Sequence, residues 1–97
     1  MAWPEVILAT AKEFALPYAD VAGRKRDRFT CRARFALYKA LRMRGASYVQ
    51  IAKWLDRDHS TVIHGVRVAE ETMEKEPVYK ERVHRISQVQ AGGVIVV

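Results

Sequence analysis

Apolar residues in this chain recur every three to four positions and rarely alternate, so the pattern predicts helices almost throughout. Pro4 suits a first helical turn. After it Val6, Ile7, Ala11 and Phe14 share one helix face, and that helix must end before Pro17. A short helix over residues 18–22 follows, stopped by Gly23. The clearest stripe is Ala33, Ala36, Leu37, Ala40 and Leu41, at i, i+3, i+4, i+7 and i+8. Arg34, Lys39 and Arg42 are read as pointing elsewhere. Gly45 is placed to close this helix in the left-handed conformation.

Ser47 and Gln50 have the spacing of a capping box, with Val49, Ile51, Ala52 and Leu55 as the apolar positions of the helix they open. Asp56-Arg57-Asp58 is a polar break. Asp58 or Ser60 can cap the next helix, whose buried stripe is Val62, Ile63, Val66, Ala69 and Met73. Ser60, His64 and Arg67 lie on its other face. Pro77 is placed to open a last helix, with Val78, Val83 and Ile86 turned inward. Only the apolar tail, residues 91–97, reads as anything but helix, and it follows one domain over residues 1–90. The expected fold class is all-α: a compact helical bundle with a helix-turn-helix. Two short helices across a tight polar turn, the second presenting polar side chains at its start, is the layout of that motif.

Composition narrows the function. The 97 residues suffice for one domain. A hydrophobic content of 49% argues against disorder throughout. Cys31 is the only cysteine, so no internal disulfide can form, and a reducing compartment is expected. No apolar run approaches the roughly 18–20 residues of a membrane span, and no basic segment precedes an apolar one at the N-terminus. The expectation is a cytoplasmic, nucleoid-associated protein with no membrane partner.

The net charge of +6 is the remainder of two opposed segments. Residues 24–44 carry nine basic side chains against Asp27 alone, a net +8. Residues 70–81 carry five Glu against two Lys, a net −3. A positive patch clustered in this way is the electrostatic footprint of a polyanion binder. Combined with a helix-turn-helix, it points to duplex DNA, because a helix fits the major groove and its first side chains reach base edges.

Competing chemistry is weak. His59 and His64 are five residues apart, about 140° around a helix, which is poor geometry for a shared metal. Ser60 and His64 share a face, but no third group completes a nucleophilic arrangement. No enzyme activity, metal, cofactor or nucleotide is expected. Trp3 and Trp54 read as packing residues, and Cys31 as a half-buried small one.

The run Arg57-Asp58-His59-Ser60-Thr61-Val62-Ile63-His64 resembles the signature that opens the recognition helix in the C-terminal DNA-binding domain of the bacterial DnaA replication-initiator family. Tyr18-Ala19-Asp20-Val21 with Arg24-Lys25-Arg26, Ala33-Arg34, and Ser47 with Ile51 extend the resemblance over roughly residues 5–75. It implies a recognition helix near residues 58–73 in the major groove and a basic loop, 24–28, in the minor groove. Base contacts would come from Arg26, Asp58, His59 and Ser60. Arg26 would enter the minor groove, Asp58 accept from a cytosine amino group, and His59 pack on a thymine methyl. Lys25, Arg34, Arg42, Ser47, Arg57, Thr61, His64 and Arg67 would contact phosphates. The implied partner is double-stranded DNA carrying a DnaA-box-like site, bound by a monomer that regulates replication or transcription in a bacterium or phage.

Three departures bear on the target sequence. Leu55-Asp56-Arg57 is one residue shorter than the family's usual Gly-Gly-Arg turn, which re-aims the recognition helix. Tyr48-Val49 stands where Leu-Pro is common, and the loop before Ser47 is shorter. The initiator's phosphate-binding Gly-x-x-x-x-Gly-Lys-(Ser/Thr) string does not occur in these 97 residues. The resemblance is therefore to the DNA-reading part and not to the ATP-driven engine. A second reading stays open at this point: a module that binds replication or transcription proteins, with residues 94–97 adding a strand to a partner's sheet and only non-specific DNA affinity.

Overall fold

The computed structural model describes residues 3–89. Six helices run in chain order among them: α1 (Trp3–Glu13), α2 (Tyr18–Ala22), α3 (Arg28–Met43), α4 (Tyr48–Leu55), α5 (His59–Lys75) and α6 (Pro77–Ser87). The apolar tail, with the strand-adding segment proposed for residues 94–97, lies outside the described residues.

Helix α3 is the central element, packed against α1, α2, α4, α5 and α6. Its stripe explains why. Ala33, Ala36 and Ala40 are fully buried and small enough to let neighbouring helices close in, while Leu37 and Leu41 fill the space between them. On α5 the facing residue is Gly65. A β-carbon there would lie 2.6 Å from Tyr38 Cδ2 and 2.7 Å from Phe35 Cδ1, so only glycine allows this approach. Helix α5, which opens at His59 within the Arg57–His64 run, is thereby seated directly on α3.

Local punctuation sets the boundaries. Asp27 caps α3, its carboxylate accepting from the Thr30 backbone N–H at 3.1 Å and from the Thr30 hydroxyl at 2.7 Å. Gly45, at φ 98°, ends α3 as expected. The Ser47–Gln50 capping box is present in both directions, at 3.1 and 2.9 Å. Asp56 closes α4 in the left-handed region, at φ 51°. The break between α4 and α5 is thus made by one residue in an unusual conformation, and two residues later Asp58 caps α5.

Two apolar expectations need correction. Val49 is 63% exposed and Val78 is 60% exposed, so neither belongs to the core. Each lies on the first turn of its helix, where an apolar residue can face out at little cost. Tyr79 takes the inward place next to Val78, buried, with its hydroxyl donating to the Arg32 carbonyl at 2.8 Å. Trp3 and Trp54 stack at 6.2 Å between ring centroids, a packing role as expected.

Candidate nucleic-acid interface

The run from Arg57 to His64 spans the turn before α5 and the helix's first turns, and the cap sets how its polar side chains are presented. Asp58 Oδ1 accepts from the Ser60 backbone N–H at 2.9 Å and from the Ser60 hydroxyl at 2.6 Å. These bonds, the hydroxyl first, hold the Asp58 carboxyl below its ordinary range, so it stays ionised and acceptor-only. An ionised carboxylate whose Oδ2 carries no bond among the described residues can take a base amino group. His59, Ser60, Thr61, His64 and Arg67 are exposed. His59 sets an edge against the Tyr48 ring at 6.2 Å, and His64 against Phe35 at 5.9 Å. Both imidazoles are steadied from below while remaining open to solvent. The start of a helix also offers free N–H groups and a positive dipole end, which suit phosphate.

Residues 24–27 form the loop between α2 and α3, followed by Arg28 at the start of α3. Arg24 is tied to the turn before α5, bonding both the Asp56 carbonyl at 3.0 Å and its carboxylate at 2.9 Å. Lys25 pairs with Asp20 at 3.4 Å. Arg26 and Arg28 are exposed, and neither makes a hydrogen bond or ion pair among the described residues. Asp27, the nearest acid to both, is turned to Thr30 as the cap. Arg67 likewise has no ion-pair partner among the described residues.

Between loop and helix runs a cleft of about 450 Å³. Arg26 stands on one wall, Asp58, Thr61 and His64 on the other, and the Tyr38 side chain lines it as well. The Tyr38 hydroxyl is buried without a well-formed hydrogen bond among the described residues, and burial raises its pKa against the pull of the nearby Arg57 guanidinium.

The structure gives three of the expected phosphate-contacting arginines other work. Arg34 is 6% exposed, not solvent-facing. Its guanidinium donates to the carbonyls of Val21 (3.1 Å), Lys25 (2.9 Å) and Asp20 (2.8 Å). Arg57, half-buried, donates to the carbonyls of Ala22 and Gly23 and, on its own side, Leu55 at 3.2 Å. A guanidinium whose N–H groups are held by carbonyls has little left to offer a phosphate. Arg42 donates to the Ala46 carbonyl at 3.0 Å and lies over the Tyr48 ring at 4.4 Å, bracing the start of α4. Ser47 is exposed but holds the capping box, with its hydroxyl oxygen accepting from Gln50.

Sequence reasoning missed the Asp27 cap, although Asp27-x-x-Thr30 ahead of a periodic run is a readable start signal. It also missed Gly65, an isolated glycine inside a helical pattern, which signals close approach. The Arg24–Asp56 pair had no sequence signal.

Comparison with known proteins bears on the family of the chain. Residues 4–68 match the family model described as the bacterial DnaA protein helix-turn-helix. The chain is 33% identical, over 81 residues, to the chromosomal replication initiator protein DnaA of Aquifex aeolicus (strain VF5). That alignment covers 81% of this chain and 20% of the relative, so the chain spans about a fifth of the initiator's length.

Proposed function

The chain belongs to the bacterial DnaA helix-turn-helix family, and from that premise we propose that it is a sequence-specific reader of double-stranded DNA. The observation that carries the proposal is the cleft. An unpartnered loop arginine, Arg26, faces the polar start of α5 across it, and both lie within the residues that match the family. Helix α5 is about 10–12 Å across with its side chains, and the major groove is about 12 Å wide. With Asp58, His59 and Ser60 at base edges, Thr61 and His64 lie beside the sugar-phosphate backbone. Arg26 then reaches over that backbone into the minor groove, whose negative potential attracts it. Arg67 and Lys25 add phosphate contacts at the margins.

The bound site is a DnaA-box-like duplex, taken by one copy of the chain. The consequence is control of replication or transcription on the bacterial or phage chromosome by occupancy. The chain acts as a binding module, with no chemistry of its own assigned to it. No helix of the described residues is long and apolar enough to cross a membrane.

Selection from a random duplex library tests this directly, because it supplies the site together with the affinity. The recovered duplex is expected to bind at least ~10³-fold more tightly than a scrambled one at physiological salt, the lower end for specific binders. Equal affinity for both would sink sequence reading and leave only charge.

A further inference from the structure

Five carbonyls between Asp20 and Lys25 are held by two arginines. Arg34 takes those of residues 20, 21 and 25, and Arg57 takes those of residues 22 and 23. These include the last carbonyls of α2, which a helix end leaves without partners of its own. Neither guanidinium has a carboxylate partner among the described residues. Arg57 is also the residue before Asp58, and its second hand grips the Leu55 carbonyl at the end of α4. One side chain therefore joins the backbone beside the loop to the backbone beside the recognition helix. Arg24, on the loop, closes a second link to Asp56.

The loop around Arg26 has no helix or strand ladder to fix it. Its offset from α5 comes from these bonds. Two readers that enter neighbouring grooves must keep one spacing if both are to find their bases in one register.

We propose that Arg34 and Arg57 are positioning residues that brace the Arg26 loop against the turn before α5, so that the minor- and major-groove contacts form together. This rests on the DNA-reading proposal, but it replaces a phosphate role for both arginines with a structural one. The two roles differ in what salt does. A phosphate contact contributes about one to the salt slope on every duplex, whereas a brace contributes to discrimination and leaves the slope alone.

The test is a double-mutant cycle on the selected duplex, combining Arg57→Met with Arg26→Ala and repeated across salt concentrations. Arg57→Met is expected to weaken the selected duplex about ten- to a hundredfold, the range for one lost base-reading contact, and a scrambled duplex far less. In that background Arg26→Ala should cost little more, because the loop is already out of register. Arg34→Met should behave the same way. A fall of about one in the salt slope on both duplexes, with the Arg26 effect intact, would overturn the brace in favour of a phosphate contact. Circular dichroism checks folding. Should a methionine variant unfold, Arg57→Lys, which keeps the charge but loses the fork that reaches both backbones, takes its place in the cycle, and strict additivity with Arg26→Ala there refutes the proposal. Amide exchange of residues 24–27 in the free protein separates the two readings. Faster exchange in Arg57→Met supports the brace even if no duplex is bound specifically, and unchanged exchange counts against it.

Discussion

On the α6 side of the bundle Arg32 meets Glu76 at 2.8 Å and Arg85 meets Glu13 at 2.7 Å, whereas Arg26, Arg28 and Arg67 meet no carboxylate among the described residues. The two regions use the same residue type under different local supply. Five of the chain's glutamates fall in residues 70–81, within reach of α3 and α6. Among the described residues, the acids that pair with the loop or cap the helices beside it are aspartates, and each is engaged. Asp27 and Asp58 cap helices, Asp56 takes Arg24, and Asp20 takes Lys25. The field that a polyanion would feel is therefore set by which cations stay unneutralised, not by the total of +6.

The largest expected effect breaks the paired side without touching the other. Tyr79 is buried and ties α6 to the Arg32 carbonyl, so Tyr79→Ala should cost about 3–5 kcal/mol of stability in a urea titration, the range for truncating a buried aromatic. The fraction that remains folded should keep the wild-type salt slope for DNA. A changed slope would mean that the two regions are not separable.

Asp58→Ala comes next, because this residue caps α5 and is also a proposed base reader. Losing the cap should lower stability by about 1 kcal/mol. Losing the acceptor should relax preference at one base pair by about 1–3 kcal/mol, read by comparing single-base variants of the selected duplex. Loss of stability without relaxed preference would make Asp58 a cap only.

Arg67→Ala isolates an unpaired cation. Stability should stay within about 0.5 kcal/mol of wild type, since no partner is lost. The salt slope should fall by about one on all duplexes alike. An unchanged slope would place Arg67 off the DNA.

How far the sequence carries such distinctions depends on distance along the chain. Helix limits were legible because their signals are local: Pro4, Gly23, Gly45, the Ser47–Gln50 box and Pro77 each act within a few residues. The exposed polar face of α5 was legible for the same reason, since Ser60, His64 and Arg67 fall opposite Val62 and Val66 by helical period alone. Val78 and Tyr79 were confused because two adjacent apolar residues in the first turn are told apart only by what packs on them. Arg34 misled more instructively. It lies on the buried stripe with Thr30, Leu37 and Leu41, at i, i+3 and i+7 from itself to the leucines, and charge alone argued it outward. Burial was made affordable by carbonyls 9 to 14 residues away, and Arg57 by others 34 and 35 residues away. Which arginines are free for DNA is a tertiary property, and no spacing rule contains it.

The smallest effect is on pH, and it returns to the two kinds of arginine. Glu13 is held below its ordinary value near 4.5 first by hydrogen bonds from Arg85, then by the charges of Arg85 and Arg82, against a burial penalty. Glu76 is held down in the same way by Arg32. A carboxyl whose pKa is lower folded than unfolded lends stability that is complete above the unfolded value and is lost as pH falls through the folded one. The stability of the wild type should therefore be level from neutrality down to about pH 4.5 and decline below it, as carboxyls near their unfolded range of ~4.3–4.5 begin to protonate only in the unfolded chain. Glu13→Gln with Glu76→Gln should make the upper part of that acid decline shallower. What remains, at lower pH, belongs to the caps Asp27 and Asp58, which Thr30 and Ser60 hold below an ordinary 3.8. Arg26→Ala should leave the whole curve in place, because no carboxylate depends on it. If Arg26→Ala instead shifts the acid limb as the glutamate variants do, the loop arginine is paired in solution and the contrast between the two regions fails.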